Sequence, residues 1–342
     1  MPERVADSVT ANGTALPVVR APRPSGQERW RELRIVSRGD TVYRALLTSF
    51  ALLLPLLLAI IVGELVVGAW PALKQFKFGF LTNSTWDPVA SEFGALPLIV
   101  GTLYSSLVAM VIAVPLALGV AIFLTEFAPR WLRTPVATLV ELLAGVPSVI
   151  YGLWGVFVLI PLLRDVLWPI IRLAVSWLPF FEGAFYGPSV LAGGTILAIM
   201  VLPYIAAVSR EVLLAVPSAQ REAALALGAT RWEAVWTVVL PYGRAGILGA
   251  VILGLGRALG ETMAVTMLIG NRHEISLSLV QPGYTIAAAI ANEFAEAVTA
   301  MHLSALVYCG LVLFFITVVV NASARWLIWR VARGSAAGSS AV

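Results

Sequence analysis

The chain has 342 residues, of which 59% are hydrophobic and only 12% charged. A mean hydropathy of +0.90 excludes an ordinary soluble domain and indicates an integral membrane protein. The net charge of +4 and the pI near 9.5 come with no nucleic-acid motif, so they are read as topology and attraction to anionic membrane lipid, with no nucleic-acid role.

In chain order, residues 1–27 are rich in Pro, Ser, Thr, Gly and Ala without periodicity and read as a disordered tail. Arg29 to Arg44 are expected along the membrane surface, with Trp30, Leu33, Ile35 and Val36 as apolar contacts. This basic region is too long for a cleavable signal peptide, so the first apolar stretch is expected to be retained. Six stretches then reach the roughly 20 apolar residues that cross about 30 Å of hydrocarbon. They lie at 45–69, 98–125, 136–163, 188–214, 244–269 and 301–329. Each is nearly continuous in apolar residues rather than alternating, which excludes a strand barrel and predicts an all-α bundle. Pro55, Pro115, Pro147, Pro161 and Pro203 are expected to bend or interrupt several spans. The resulting division is a tail at 1–44, a six-span domain at 45–330 and a short tail at 331–342.

Counted with both termini on one side, that side carries 17 of the 23 Lys and Arg residues. Five (Lys74, Lys77, Arg164, Arg172 and Arg272) fall on the other side, and Arg257 lies inside a span. The positive-inside rule therefore places both termini, and the connector at 215–243, in the cytoplasm. The opposite side holds connectors 70–97, 164–187 and 270–300. In the first of these, Trp70, Trp86, Asp87 and Glu92 could meet a partner, although interfacial aromatics usually anchor in the membrane. Asn83-Ser84-Thr85 matches a glycosylation acceptor by a pattern too short to carry weight.

The long connector at 215–243 has the chemistry of two short helices. Ser218 can cap the first, Gly228 can end it at positive φ, Thr230 with Glu233 can form a capping box, and Pro241 is expected to stop the second. In the fifth span, Arg257 and Glu261 stand four residues apart on one helical face near midplane, where an ionisable group is costly unless paired or hydrated. Gly256 and Gly260 make a strip beside them that permits close approach. Two readings stay open: Arg257 meets an oxyanion in a translocation path while Glu261 holds it, or the two form a structural ion pair between helices. The planar guanidinium suits tetrahedral oxyanions, phosphate and sulfate alike. Glu141, at the entry to the third span ahead of Gly145, Pro147 and Gly152, is either part of a gate or a carboxylate reaching water; Glu64 is read as the latter.

Cys309 is alone, and His273 and His302 are too far apart in sequence to suggest a metal centre. No nucleophile and base pair or ligand set falls in the spans, so no catalytic or metal residue is assigned. The only lysines, Lys74 and Lys77, do not stand in a Gly-rich phosphate loop, so any nucleotide must be handled by a partner.

Glu222-Ala223-Ala224, Gly228, Val238, Leu240 and Pro241 together resemble the EAA motif of bacterial ABC importer permeases, with Val238 where Ile is commonest. That resemblance implies a type I ABC importer permease bundle of six helices, coupled to a separate ATPase through 218–241. Gly256-Arg257-Ala258-Leu259-Gly260-Glu261-Thr262-Met263-Ala264-Val265, the segment Glu141 to Gly152, and Trp86-Asp87-Pro88 before Phe93-Gly94-Ala95-Leu96-Pro97 are similar to the C-type permease of the high-affinity phosphate (Pst) importer over residues 45–330. Such membership implies an inner-membrane heterodimer with an A-type permease, two copies of a cytoplasmic ATPase that bind ATP and Mg, and an external phosphate-binding protein. The long head before Arg29 departs from the shorter family pattern. The alternatives are a permease for sulfate or molybdate, or a membrane protein with no ATPase partner.

Overall fold

The computed structural model describes residues 26–175 and 177–339. The expected tail therefore lies outside the described residues up to 25, and so do the side chains of Trp30, Leu33, Ile35 and Val36. Helix α1 (Gly26–Phe76) runs into the first span. Its part through Ile61 forms one unit and everything from Val62 onward a second. Leu54 and Val67 on α1 are 75% and 71% exposed, as side chains that face lipid would be.

The second unit begins with the end of α1 and a short hairpin of strands β1 (Trp86–Asp87) and β2 (Glu92–Phe93), in which Trp86 pairs with Phe93 and Asp87 with Glu92. The turn is held locally, because Asp87 Oδ1 accepts from the backbone N–H groups of Val89 and Ala90. Helix α2 (Leu96–Phe127) follows, then α3 (Arg130–Ala144), α4 (Ser148–Leu173) and α5 (Val190–Leu214). After them come α6 (Ser218–Ala226), α7 (Arg231–Gly260), α8 (Met263–Leu268), α9 (Ile286–Glu293) and α10 (Ala300–Ser339). The end with α6 is called below the connector end, and the end with β1 and β2 the hairpin end.

Helix α5 is the axle of the bundle. Two-thirds of its most apolar stretch is buried, and it packs against α2, α3, α7 and α8. The interface with α2 is built from small residues at helical spacing, Ala109, Ala113, Ala117 and Ala121, all fully buried. The first three meet Leu197, Ala198, Val201 and Ile205 of α5, and Ala121 meets Leu213 near its end. Small residues let two helix backbones come close where lipid supplies no hydrophobic drive to associate.

Among the described residues, five helices are long and apolar enough to span, and the pair α3 and α4, bent by 93°, makes a sixth when counted as one broken span. Pro147 occupies the N-cap position of α4 and ends α3 as its missing N–H and the restriction on the preceding residue require. The other expected interruptions differ. Pro55, Pro115 and Pro203 remain inside α1, α2 and α5, whereas Pro161 sits between two π-turns, Gly155–Leu159 and Leu162–Leu167, within α4.

Two local expectations are corrected. Ser218 is not a cap: Pro217 takes that position with no side-chain cap, and Ser218 is the first helical residue. Pro241 does not stop its helix. The π-turn Val235–Val239 precedes it, and the Leu240 N–H bonds to the Val235 carbonyl. That wider turn accommodates the missing donor of Pro241, so α7 runs on as one span. The helix ends instead at Gly260, where the backbone of Glu261 becomes extended, ψ 130°.

Candidate functional site

Arg257 lies in the last turn of α7. Its guanidinium carbon sits 4.4 Å from the ring centroid of Tyr204 on α5, a cation–π distance. The Tyr204 hydroxyl donates to the carbonyl of Ala144 at 2.7 Å, and the Tyr151 hydroxyl donates to that of Leu143 at 2.8 Å. Both carbonyls lie in the last turn of α3, so two tyrosines tie the broken span at the bend. The cation is thereby joined through one ring to the Gly145–Pro147 break. Its Nε is buried and has no hydrogen-bond partner.

The expected pair with Glu261 does not form. The i, i+4 register needs helix through Glu261, but α7 ends at Gly260, so the carboxylate leaves the face that carries Arg257. Among the described residues Arg257 meets no carboxylate and Glu261 no cation. Glu141 is exposed and makes no interhelical hydrogen bond among the described residues. It lines a narrow void with Leu124, Val140, Ala206 and Arg210, and Arg210 is paired with Glu211 at 2.7 Å.

The connector folds as two local helices, for reasons written in its sequence. Gly228 ends α6 at φ +89°, with its N–H bonded to the Leu225 carbonyl at 3.0 Å. Thr230 then caps α7 in a complete capping box with Glu233. No residue of α6 is buried. A shallow groove of about 430 Å³ runs past Ala223, Ala224, Leu227, Ala229 and Val238. Glu222, Ala223, Ala224, Gly228, Leu240 and Pro241 thus lie along one two-helix element.

At the hairpin end a third cluster surrounds Glu293, at the end of α9. Trp86 Nε1 donates to Glu293 Oε2 at 2.8 Å, and His302 Nε2 lies 3.1 Å from the same oxygen. His273 Nε2 is 3.6 Å from Oε1, too far for a hydrogen bond. The Trp86 and His273 rings stack at 5.3 Å, as do Phe93 and His302. Trp86 is accordingly a half-buried strut of this cluster. Burial pushes His273 below the usual histidine range, against the opposing pull of Glu293. Burial also drives the Tyr284 phenol up to about 12, so it remains a donor or acceptor without charge.

Residues 113–333 match the family of binding-protein-dependent transport system inner membrane components. A phosphate transport system permease protein PstC of Mesorhizobium japonicum is 47% identical over 321 residues, 93% of this chain and 96% of the relative. The chain belongs to the PstC family of permeases. A PstC of Pasteurella multocida is 47% identical over 299 residues, 85% of this chain and 92% of the relative. A probable PstC of Methanocaldococcus jannaschii is 38% identical over 272 residues, covering 78% and 86%. In fold, this permease resembles a chain of a bacterial alginate ABC transporter solved with an alginate pentasaccharide-bound periplasmic protein. The TM-score is 0.59 at 18% identity, over 87% of this chain and 97% of that one.

Reading along the permease sequence missed Tyr151, Tyr204, Arg221, Glu293 and the two histidines. Tyr204 and Arg257 are 53 positions apart, and His273, Glu293 and His302 lie in three different elements. The one signal available was the placement of polar atoms, a Tyr hydroxyl or a Glu, at apolar depth, where each must find a partner.

Proposed function

We propose that this chain forms one half of an ATP-driven phosphate path across the bacterial inner membrane, beside a related A-type permease. Two copies of a cytoplasmic ATPase bind ATP and Mg and press on residues 218–241, and an external phosphate-binding protein delivers the anion. Both termini and the connector face the cytoplasm, following the bias of Lys and Arg. The observation that carries the reading is Arg257: a guanidinium with a buried, unpartnered Nε, parked on an aromatic ring and free of any carboxylate among the described residues.

Such a cation lowers the cost of bringing a dehydrated anion to midplane and offers it a bidentate fork. The Tyr204 ring holds the guanidinium without neutralising it, so the anion need not displace a carboxylate. The bend at Gly145–Pro147, bonded to Tyr204 through Ala144, is the gate element. ATP binding draws the connectors of the two permeases together and turns the spans outward, and hydrolysis resets them. The names of the relatives support phosphate as the cargo.

The test is ATP-driven uptake of labelled phosphate into vesicles holding the whole complex, wild type against Arg257→Gln, with sulfate or molybdate in excess. Losing a charge-assisted contact to the anion should cut uptake at least about tenfold with assembly preserved, and the competitors should have no effect. Unimpaired uptake by the variant removes Arg257 from the path. Strong competition replaces phosphate with a wider class of oxyanion.

A further inference from the structure

Helix α6 has no buried residue, so apolar packing cannot fix its position against the spans. The side chain of Arg221 supplies the connection instead, with all three guanidinium nitrogens engaged. Its Nε donates to Glu126 Oε1 at 3.1 Å, Nη1 to the Val216 carbonyl at 2.7 Å and Nη2 to the Leu213 carbonyl at 2.6 Å. Glu126 belongs to the π-turn Phe123–Phe127 that ends α2, and Leu213 and Val216 lie at the end of α5. Both carbonyl residues are buried, and the two charged side chains are only 22% and 15% exposed.

We propose that Arg221 is a positioning residue, the strut that converts movement of α6 into movement of α2 and α5. This rests on the reading of 218–241 as the surface an ATPase presses. The chemistry suits the task. A cation over the last carbonyls of α5 complements the negative end of that helix. The fork then reaches a carboxylate on a second helix, so three elements share one planar group. Pairs this withdrawn from water are screened less than surface pairs. Lysine could not span the three acceptors, because it lacks the rigid fork. The motif residues Ala223 and Ala224 line the groove of α6, whereas Arg221 bonds inward to the spans, so one short helix separates what it receives from what it transmits. The two spans that Arg221 holds are the ones joined by the alanine interface of the core, and α5 also carries Tyr204, which holds Arg257.

The experiment uses the whole complex in vesicles and reads two quantities together, phosphate moved and ATP hydrolysed. Arg221→Ala and Glu126→Gln should both assemble with the ATPase and yet move less phosphate per ATP, about tenfold less for Arg221→Ala and about threefold less for Glu126→Gln. Arg221→Lys should fall between wild type and Arg221→Ala. An unchanged ratio in both Arg221→Ala and Glu126→Gln overturns the strut. So does loss of the ATPase from Arg221→Ala while Glu126→Gln behaves as wild type, because Arg221 would then belong to the docking surface. If the wild-type chain itself fails to bring down the ATPase, or Glu222→Ala and Gly228→Pro bind and couple normally, the connector reading fails first, and the strut with it.

Discussion

At the hairpin end, four separate stretches of chain close around one carboxylate: Trp86 from β1, His273 and Tyr284 from the loop before α9, Glu293 from α9, and His302 from α10. At the connector end, an exposed helix is tied to two spans through a single guanidinium. The first arrangement distributes its cohesion over stacked rings and long-range bonds, so that no one element can shift without breaking several. The second concentrates it in one polar link beside a glycine turn, which lets a helix move as a unit while staying attached. The proposed function, driven from one end and loaded from the other, calls for both kinds of construction.

The largest expected effect that would test this contrast is at Gly101, on α2. A Cβ there would overlap the carbonyl oxygen of Tyr284, where α2 and the loop before α9 come into direct backbone contact. The neighbouring Thr102 Oγ1 already accepts from the Ile286 N–H at 2.9 Å. Gly101→Ala should therefore destabilise the hairpin end by about 3 kcal/mol or more, outweighing alanine's better helix propensity. Thermal unfolding of the detergent-solubilised complex measures it, and a shift of under one degree would show that the loop yields.

Next comes Glu293→Gln, which weakens the acceptor of Trp86 and faces His302 with a neutral amide. Its expected cost is about 2 kcal/mol. The same cluster carries a pH dependence. His273 is held below the ordinary histidine value near 6.5 by burial, so the unfolded chain takes up its proton first as pH falls. Stability from the neutral ring is complete above about pH 6.5 and is lost progressively below it. The groups facing it are Glu293, whose charge resists the shift, and Tyr284, with His302 across the carboxylate. Unfolding temperature should drop on acidification, and His273→Gln should flatten that slope. An equal slope in the variant would assign the effect elsewhere.

The smallest change is at Gly228. A Cβ there meets open space, so Gly228→Ala suffers only from φ +89°, about 1 kcal/mol. The prediction is nearly unchanged unfolding with reduced coupling to the ATPase, the reverse of Gly101→Ala. If Gly228→Ala unfolds the protein as severely as Gly101→Ala, the two ends are not built differently.

How much could be read in advance varied with the range of the interaction. The apolar lengths marked six crossings, and Gly228, Thr230 and Glu233 spelled out the connector's turn and cap, since all of these act over a few residues. The same local logic failed at Pro241, because the π-turn at Val235–Val239 absorbed the missing donor. It failed at Glu261 too, because the break after Gly260 abolished an assumed helical register. A helical wheel assigns faces only while the helix lasts.

What the sequence determined by itself was the solvent, the helical spans, the family and the connector's glycine turn and capping box, since hydrocarbon demands continuous apolar helices and that turn and cap are satisfied by near neighbours. Only the tertiary structure decided the partners of the polar groups: Arg257 on Tyr204, Arg221 across α2 and α5, and Glu293 among two histidines and an indole. Each lies where the chain could supply several acceptors or none. Which one it meets depends on how close the alanine-lined helices come and where a span breaks, and those distances are set by the packing of the whole bundle.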